Sequence, residues 1–499
     1  MNNNENSAMR IELTRTNFDP TDPLYHPFLD DLQGNILKSH GRNYSVHLFF
    51  RITNAGDARK WIADFAGSKL TSAIKQFSES RLYKKYPDKY PYQTFAGLLL
   101  TSSGYEALGI PSENIPSDIR FRIGMKHPDV KAWLHDPPVD EWQAEFQAEI
   151  HALIILSSDL DPKKQNQFSS EVENISQEIG AFGELVHTEY GHVMREHGDH
   201  GYPVEHFGYV DGLSQPLFYE KDIQRAKKES GRGLWDQSAP LNLVVTSDPN
   251  GKYADSCGSY FVYRKLYQDV HKFQRLSEEL AETLESDYDF AGASIVGRFK
   301  DGTPLVKYKR PQRTGENASD TVPNNFTYDN DPDGRKCPFH AHIRKANPRG
   351  EKHDEPFTRL LRFLGQFRWL RNRFDSLDKR IKEMDKMERD RRIARRGISY
   401  GPVNPEPGDD AGLLFLGAQS NIASQFEFIQ NTWSNKNTFL EDGTGLDPVI
   451  GQGFQQDGGQ YWSIDWKDSR KRQFDFRDCV RLRGGEYFFA PSLSFLKSL

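Results

Sequence analysis

Two imidazoles, a thiol and a pair of prolines are gathered in Lys-Cys-Pro-Phe-His-Ala-His-Ile-Arg-Lys-Ala-Asn-Pro-Arg, residues 336–349. A neutral imidazole nitrogen suits a metal or a haem iron at neutral pH, provided a rigid element fixes its angle to the metal. Pro338 fits the entry to a short helix and Pro348 its end, so the segment supplies that element. On a helix His340 and His342 would point about 200° apart, so the two cannot face one iron. Asp211 stands in Phe-Gly-Tyr-Val-Asp-Gly-Leu-Ser-Gln-Pro, where Gly208 and Gly212 let the backbone turn tightly and approach a flat group closely. Arg395 and Arg396 precede a glycine in Ile-Ala-Arg-Arg-Gly-Ile-Ser-Tyr-Gly-Pro. Peroxide chemistry at a haem needs an axial ligand, an acid/base that moves a proton between the peroxide oxygens, and a cation for the departing charge. His342, Asp211 and either Arg395 or Arg396 are candidates for the three parts.

These residues must be carried by elements the sequence also marks. Tyr44–Ile52, Thr94–Thr101 and Glu149–Leu156 are runs of β-formers, with helical stretches expected over 54–67 and about 162–179. The order is a ferredoxin-like α+β rhythm. The second half repeats it loosely: a strand at Gly258–Leu266, a helix over Val270–Glu285, a buried strand at Gly412–Ala418 and a helical segment at Ala423–Gln430. The expected architecture is two ferredoxin-like halves with antiparallel sheets enclosing a pocket, plus a helical insertion. Residues 1–25 read as an N-terminal arm with order beginning near Leu32, 26–218 as the first domain, 219–255 as a connector and 256–499 as the second domain. Residues 301–335, rich in Asp, Asn, Gly and Pro, read as a long surface loop. Within the second domain, at about 351–393, apolar residues from Phe357 to Met387 recur every three or four positions, which predicts an amphipathic helix or hairpin and a candidate homo-oligomer contact.

Bulk properties narrow the function class. The 499 residues suffice for two or three domains, and 65 basic against 71 acidic residues leave a net charge of −6, too weak a field to draw nucleic acid or an anionic membrane. Cys257, Cys337 and Cys479 are odd in number and far apart, which fits a reducing cytoplasm and no disulfide framework. The polar first residues carry no signal peptide and no apolar run reaches the length of a membrane span, so a cytoplasmic protein is expected. Thirty-three Phe, 21 Tyr and 8 Trp suit a large apolar cavity.

Six segments occur together and in order: Gln33-Gly-Asn-Ile-Leu37, Gly208-x-x-Asp-Gly212, Val296-Gly-Arg-Phe-Lys-Asp-Gly-Thr-Pro-Leu305, Cys337-Pro-Phe-His-Ala-His342, Arg395-Arg-Gly-Ile-Ser-Tyr-Gly401 and Arg483-Gly-Gly-Glu-Tyr-Phe-Phe-Ala-Pro-Ser492. From about residue 30 onward the chain resembles the dye-decolorising peroxidase family of haem peroxidases, in its larger branch with fungal and cyanobacterial members. The resemblance implies heme b (iron protoporphyrin IX) held non-covalently between the halves. It implies His342 as the iron ligand, Asp211 as distal acid/base and Arg395 as distal cation, with Arg396 in reserve. It also implies Leu413 and Phe415 as apolar residues above the haem, Arg298 as a cofactor contact, and Tyr400 as a residue for electron transfer to bulky substrates, a role a Trp could share. The implied function is reduction of hydrogen peroxide with oxidation of dyes, phenolics or other aromatic donors through a ferryl haem. Competing readings are a haem-binding or haem-iron-releasing protein of the same fold, and structural zinc on Cys337, His340 and His342.

Overall fold

The computed structural model describes residues 11–86, 93–196, 201–231, 233–313, 321–350 and 386–499. Its first half runs β1 (Tyr44–Ile52), α1 (Ala55–Ser68), β2 (Phe95–Leu100), β3 (Ala152–Ser158), α2 (Gln167–Ile179) and β4 (Gly183–His192). The helices start where side chains replace missing backbone partners: Asn54 Oδ1 accepts from Gly56 and Asp57, and Asn166 with Ser169 closes a capping box on α2. Phe168, Val172, Ile175 and Ile179 then fall on one buried face of α2.

The second half repeats the order with β5 (Cys257–Gln268), α3 (Val270–Leu284), β6 (Ile398–Tyr400), β7 (Gly412–Gln419) and β8 (Val480–Ala490), and places α4 (Tyr288–Val296) and α5 (His342–Ala346) between α3 and β6. A π-helical stretch, α6 (Ile429–Ser434), precedes β8. All these pairings are antiparallel, in the order β2-β3-β1-β4 in one half and β8-β5-β7-β6 in the other. The two orders are equivalent, each with its first strand inside and its second and fourth at the edges.

The expected α+β architecture therefore holds, and the structure adds how the halves join. His192 and Gly191 of β4 lie opposite Ser399 and Tyr400 of β6, and Leu100 of β2 lies opposite Phe489 of β8. Each half thus satisfies the open edges of the other, and eight strands close into a barrel. Inside it Phe49 meets Tyr263 edge to face at 5.0 Å, and the Lys265 ammonium lies 2.7 Å from Glu189 of the opposite half. Alternation along β5 sends Tyr263 and Lys265 inward and Arg264, Leu266 and Gln268 to the other face, where the main cavity lies.

Order begins earlier than Leu32. Ile11, Phe18 and Tyr25 are buried and a helix spans His26–Asp31, because those apolar side chains have the first half to pack against. The span 219–255 carries a helix at Glu220–Ser230. The described residues of 301–335 contain no helix or strand. Most of the amphipathic stripe lies outside the described residues; of it, 386–390 are helical and Met387 is exposed.

Candidate active site

A cavity of ≈ 300 Å³ lies against the outer face of β5 and β7 and is lined also by α5 and by the loop 205–216. His342, Asp211, Arg395, Leu413, Phe415 and Arg298 all line it, so the structure brings these six sequence candidates to one place.

On one wall, His342 is the first residue of α5. Its Nδ1 is 2.9 Å from Oδ2 of the fully buried Asp447, whose Oδ1 accepts the backbone N–H groups of Val449 (2.8 Å) and Ile450 (3.1 Å). Burial opposes ionisation of Asp447, yet the His342 imidazole and these N–H donors outweigh it and hold the carboxyl below its ordinary range. A carboxylate on Nδ1 fixes the imidazole as the Nδ1–H tautomer and turns the Nε2 lone pair into a ligand for a metal. One turn on, Lys345 is buried and donates to Lys436 O (2.8 Å) and Gly445 O (2.6 Å), tying α5 to the loop that carries Asp447; burial lowers its pKa to about 7.

His340 and Cys337 do not line this cavity. The helix is shorter than the prolines suggested and leaves both residues in the preceding turn. His340 is buried with its ring 4.2 Å from that of Trp462, and Cys337 is buried beside Val306, Phe326 and Tyr328. Among the described residues no group of three or more His, Cys, Asp or Glu side chains is arranged to hold a metal ion.

On another part of the lining, the Asp211 loop is shaped by Gly208 (φ 87°) and Gly212 (φ 77°), where a side chain would strain the backbone. Arg395 places Nη1 3.4 Å from Asp211 Oδ1 and donates through Nη2 to Leu213 O at 2.7 Å. Both side chains keep over a third of their surface accessible, 38% for Arg395 and 36% for Asp211. Arg396 points the other way: it is buried and donates to Asn35 O (2.7 Å), Ile36 O (2.8 Å) and Arg395 O (2.8 Å). The Gln33–Leu37 segment thus anchors the strand that presents Arg395. Leu413 and Phe415 alternate on β7 and share the cavity face, as their spacing requires.

A third edge is cationic. Arg298 donates to Gly302 O (2.7 Å), Pro323 O (3.1 Å), Ser214 Oγ (3.3 Å) and Asn324 Oδ1 (2.8 Å); Arg349 donates to the same Ser214 (2.5 Å) and Asn324 Oδ1 (2.6 Å). Arg392 lines the same edge and donates to Ser238 O at 3.0 Å. Burial lowers the pKa of Arg298 and Arg392 to about 10 and that of Arg349 as well, because among the described residues none of the three has a carboxylate partner.

Tyr400 is not at the cavity wall. It is 3% exposed, its hydroxyl donates to Asp410 Oδ1 at 3.0 Å, and the Lys265 ammonium sits 4.6 Å from its ring centroid. Burial and Asp410 push its phenol well above the ordinary range. Sequence reasoning missed Asp447, Arg349 and Arg392. Arg349 could have been found, since it closes the His342 segment itself; the others stand in no motif.

Residues 31–194 match the family model of the DyP dimeric alpha+beta barrel domain. The chain is 36% identical over 498 residues to the multifunctional dye peroxidase DyP2 of Amycolatopsis sp., covering 94% of this chain and 96% of that protein. It is 28% identical to the dye-decolorizing peroxidase msp1 of Mycetinis scorodonius, covering 94% of this chain and 87% of the relative. Among solved structures it is similar to the DyP-type peroxidase of Anabaena sp., with a TM-score of 0.85, 39% identity, and 97% and 98% of the two chains covered.

Proposed function

Because this chain belongs to the dye-decolorising peroxidase family, we propose that it is a haem-dependent peroxidase that reduces hydrogen peroxide and oxidises dyes, phenolics or other bulky aromatic donors. The observation that carries the reading is the convergence, on one cavity, of a carboxylate-held imidazole and an Asp–Arg pair.

The residues present fit a haem. The apolar side chains of Leu413, Phe415, Ile343 and Val449 line the cavity, and His342 offers one nitrogen to it. Arg298, Arg349 and Arg392, buried with neutral acceptors alone among the described residues, suit the two carboxylates of heme b. When bound, the haem supplies the iron that takes peroxide and stores its oxidising equivalents. Asp211 accepts a proton at a carboxylate oxygen from one peroxide oxygen and returns it to the other. The Arg395 guanidinium takes up the negative charge on the departing oxygen. Leu413 and Phe415 narrow the distal space to small oxidants, so bulky donors react from the surface. Tyr400, next to the strand that carries Leu413 and hydrogen-bonded to Asp410, is the proposed relay for their electrons.

The same reading includes a first domain of 26–218 after the 1–25 arm, a connector at 219–255 and a haem-binding second domain of 256–499 with its insertion at about 351–393. It also includes a cytoplasmic location and a homo-oligomer contact on the amphipathic stripe. No helix among the described residues is long and apolar enough to cross a membrane. The decisive experiment adds haemin to the purified protein and compares peroxide-dependent dye oxidation with that of free haemin. Oxidation far above the haemin background is expected. Tight haem binding with oxidation no faster than free haemin would favour a haem-carrying or haem-iron-releasing protein.

A further inference from the structure

We propose that Glu205 relays protons to the distal cavity from a surface cleft, through water held at Gln268, separately from the Asp211–Arg395 pair. This rests on the peroxidase reading above. Reducing hydrogen peroxide to two waters takes two electrons and two protons. The first rearrangement at peroxide needs no outside proton, because Asp211 moves one that peroxide already carries. A donor too large for the cavity sends its electrons through the protein and releases its protons to solvent. The two protons that complete the second water must then reach the cavity by another route.

The geometry supplies one. Glu205 lines the cavity at the head of the Asp211 loop, and its Oε2 accepts from Gln268 Nε2 at 2.5 Å and from the Phe207 N–H at 2.9 Å, while Oε1 accepts from the Tyr209 N–H at 3.1 Å. Gln268, 6% exposed at the end of β5, borders both the cavity and a second cleft of ≈ 150 Å³. Tyr267, Asp269, His271, Pro405, Glu406 and Asp409 line that cleft, which brings carboxylates and an imidazole from solvent to the outer side of Gln268. Gln268 Oε1 is buried without a partner, which is where a bridging water finds an acceptor; the amide holds that water without changing its own protonation, and the proton passes from the water to the Glu205 carboxylate and from the Glu205 carboxyl to the cavity.

The charges around Glu205 favour a proton carrier. Burial, reinforced by the Asp211 carboxylate, raises its pKa to about 7 against the pull of the Phe207 and Tyr209 N–H groups and Gln268. His206, its sequence neighbour, is held at Pro402 O and kept neutral by burial. A carboxyl that exchanges its proton near neutrality is matched to delivering protons at that pH. A carboxylate needed only to shape the loop would serve better ionised, with its three donors undiluted by a proton.

Stopped-flow measurement on the haem-loaded enzyme separates the peroxide-consuming phase from oxidation of a bulky dye. In Gln268→Met the dye phase should slow by about tenfold and show a larger solvent isotope effect, with the peroxide phase unchanged. An unaltered dye phase would overturn the relay. So would equal slowing of both phases, which is the signature of a residue that only supports the Asp211 loop. A second measurement does not depend on that variant or on turnover. Infrared titration of the resting protein should show a carboxylic C=O band that disappears near neutral pH in the native chain and is absent in Glu205→Gln. Absence of that band from the native chain would overturn the relay while leaving the peroxidase activity standing, so the two readings fail separately.

Discussion

The two walls of the cavity hold a carboxylate each, and they hold it in opposite ways. Asp447 is fully buried, 2.9 Å from His342, with two backbone donors on its other oxygen and its pKa held low. Asp211 is partly accessible and 3.4 Å from Arg395, with a side chain that faces open space. A group that sets the orientation of a ligand must not change its charge or place, and every bond to Asp447 resists both. A group that meets a small ligand in the cavity must be free to reach it, and the bonds of Asp211 are few and loose. The difference between these two carboxylates teaches that the tightly held one suits support of a ligand and the slack one suits direct contact with a reactant.

Asp211→Asn breaks the comparison on its chemical side. It keeps the shape of the wall and removes the base, so the rate of the peroxide-consuming phase should fall on the order of a thousandfold with the haem absorption band retained. Stopped-flow spectroscopy measures it, and a normal rate would remove Asp211 from that role.

Glu205 sharpens the comparison, because it lines the cavity and is only partly shielded from solvent, yet desolvation shifts it the other way, to about 7. Between its ordinary value near 4.5 and about 7 the unfolded chain has released this proton and the folded chain has not. Folding therefore takes up a proton in that window, and Glu205 costs stability as pH rises through it, by on the order of 3 kcal/mol in total. Asp447 acts oppositely: its low folded pKa contributes stability above the ordinary carboxylate range that is lost as pH falls below it. Denaturant titrations from pH 4.5 to 7 should show the Glu205 slope in the native protein and not in Glu205→Gln.

On the supporting wall, Asp447→Asn leaves the imidazole without its carboxylate. Haem affinity should fall about 10- to 100-fold, read as faster haem transfer to a scavenger, while haem that remains bound still reacts with peroxide. The smallest effect on chemistry belongs to Arg396→Gln. It removes donors to Asn35 and Ile36 and should lower stability by about 1–3 kcal/mol in thermal unfolding, with little change in the peroxide phase compared with Arg395→Gln.

How much of this was legible depended on the distance over which each residue acts. Strands β1, β2, β5 and β7 announce themselves as local runs of β-formers, and α3 by its apolar spacing. Strand β6, only Ile398–Tyr400, is too short for a pattern, and β4 is interrupted by Glu184, His187 and Glu189, two of which face partners that only folding supplies. Barrel closure was hidden because it depends on pairing between halves that share no local signal. His342, Asp211 and the Arg395–Arg396 pair could be named as candidates because each sits in a distinctive local segment, and it was the family resemblance that favoured Arg395. Asp447 could not, since it meets His342 across 105 residues of sequence and stands in an ordinary Gly-Leu-Asp-Pro turn. Arg395 and Arg396 are chemically identical neighbours. Their opposite directions follow from strand alternation, but which of them faces the cavity is decided by the carbonyls of Asn35 and Ile36.

The most direct test of the central claim, that His342 alone of the clustered donors binds the iron, is a haemin titration followed by absorption spectroscopy on the native protein, His342→Ala and His340→Ala. The native protein and His340→Ala should both give the spectrum of a histidine-ligated haem, and His342→Ala should lose it, with the ligated spectrum restored by added imidazole. A His342→Ala protein with the native spectrum, or loss of ligation in His340→Ala instead, would contradict it.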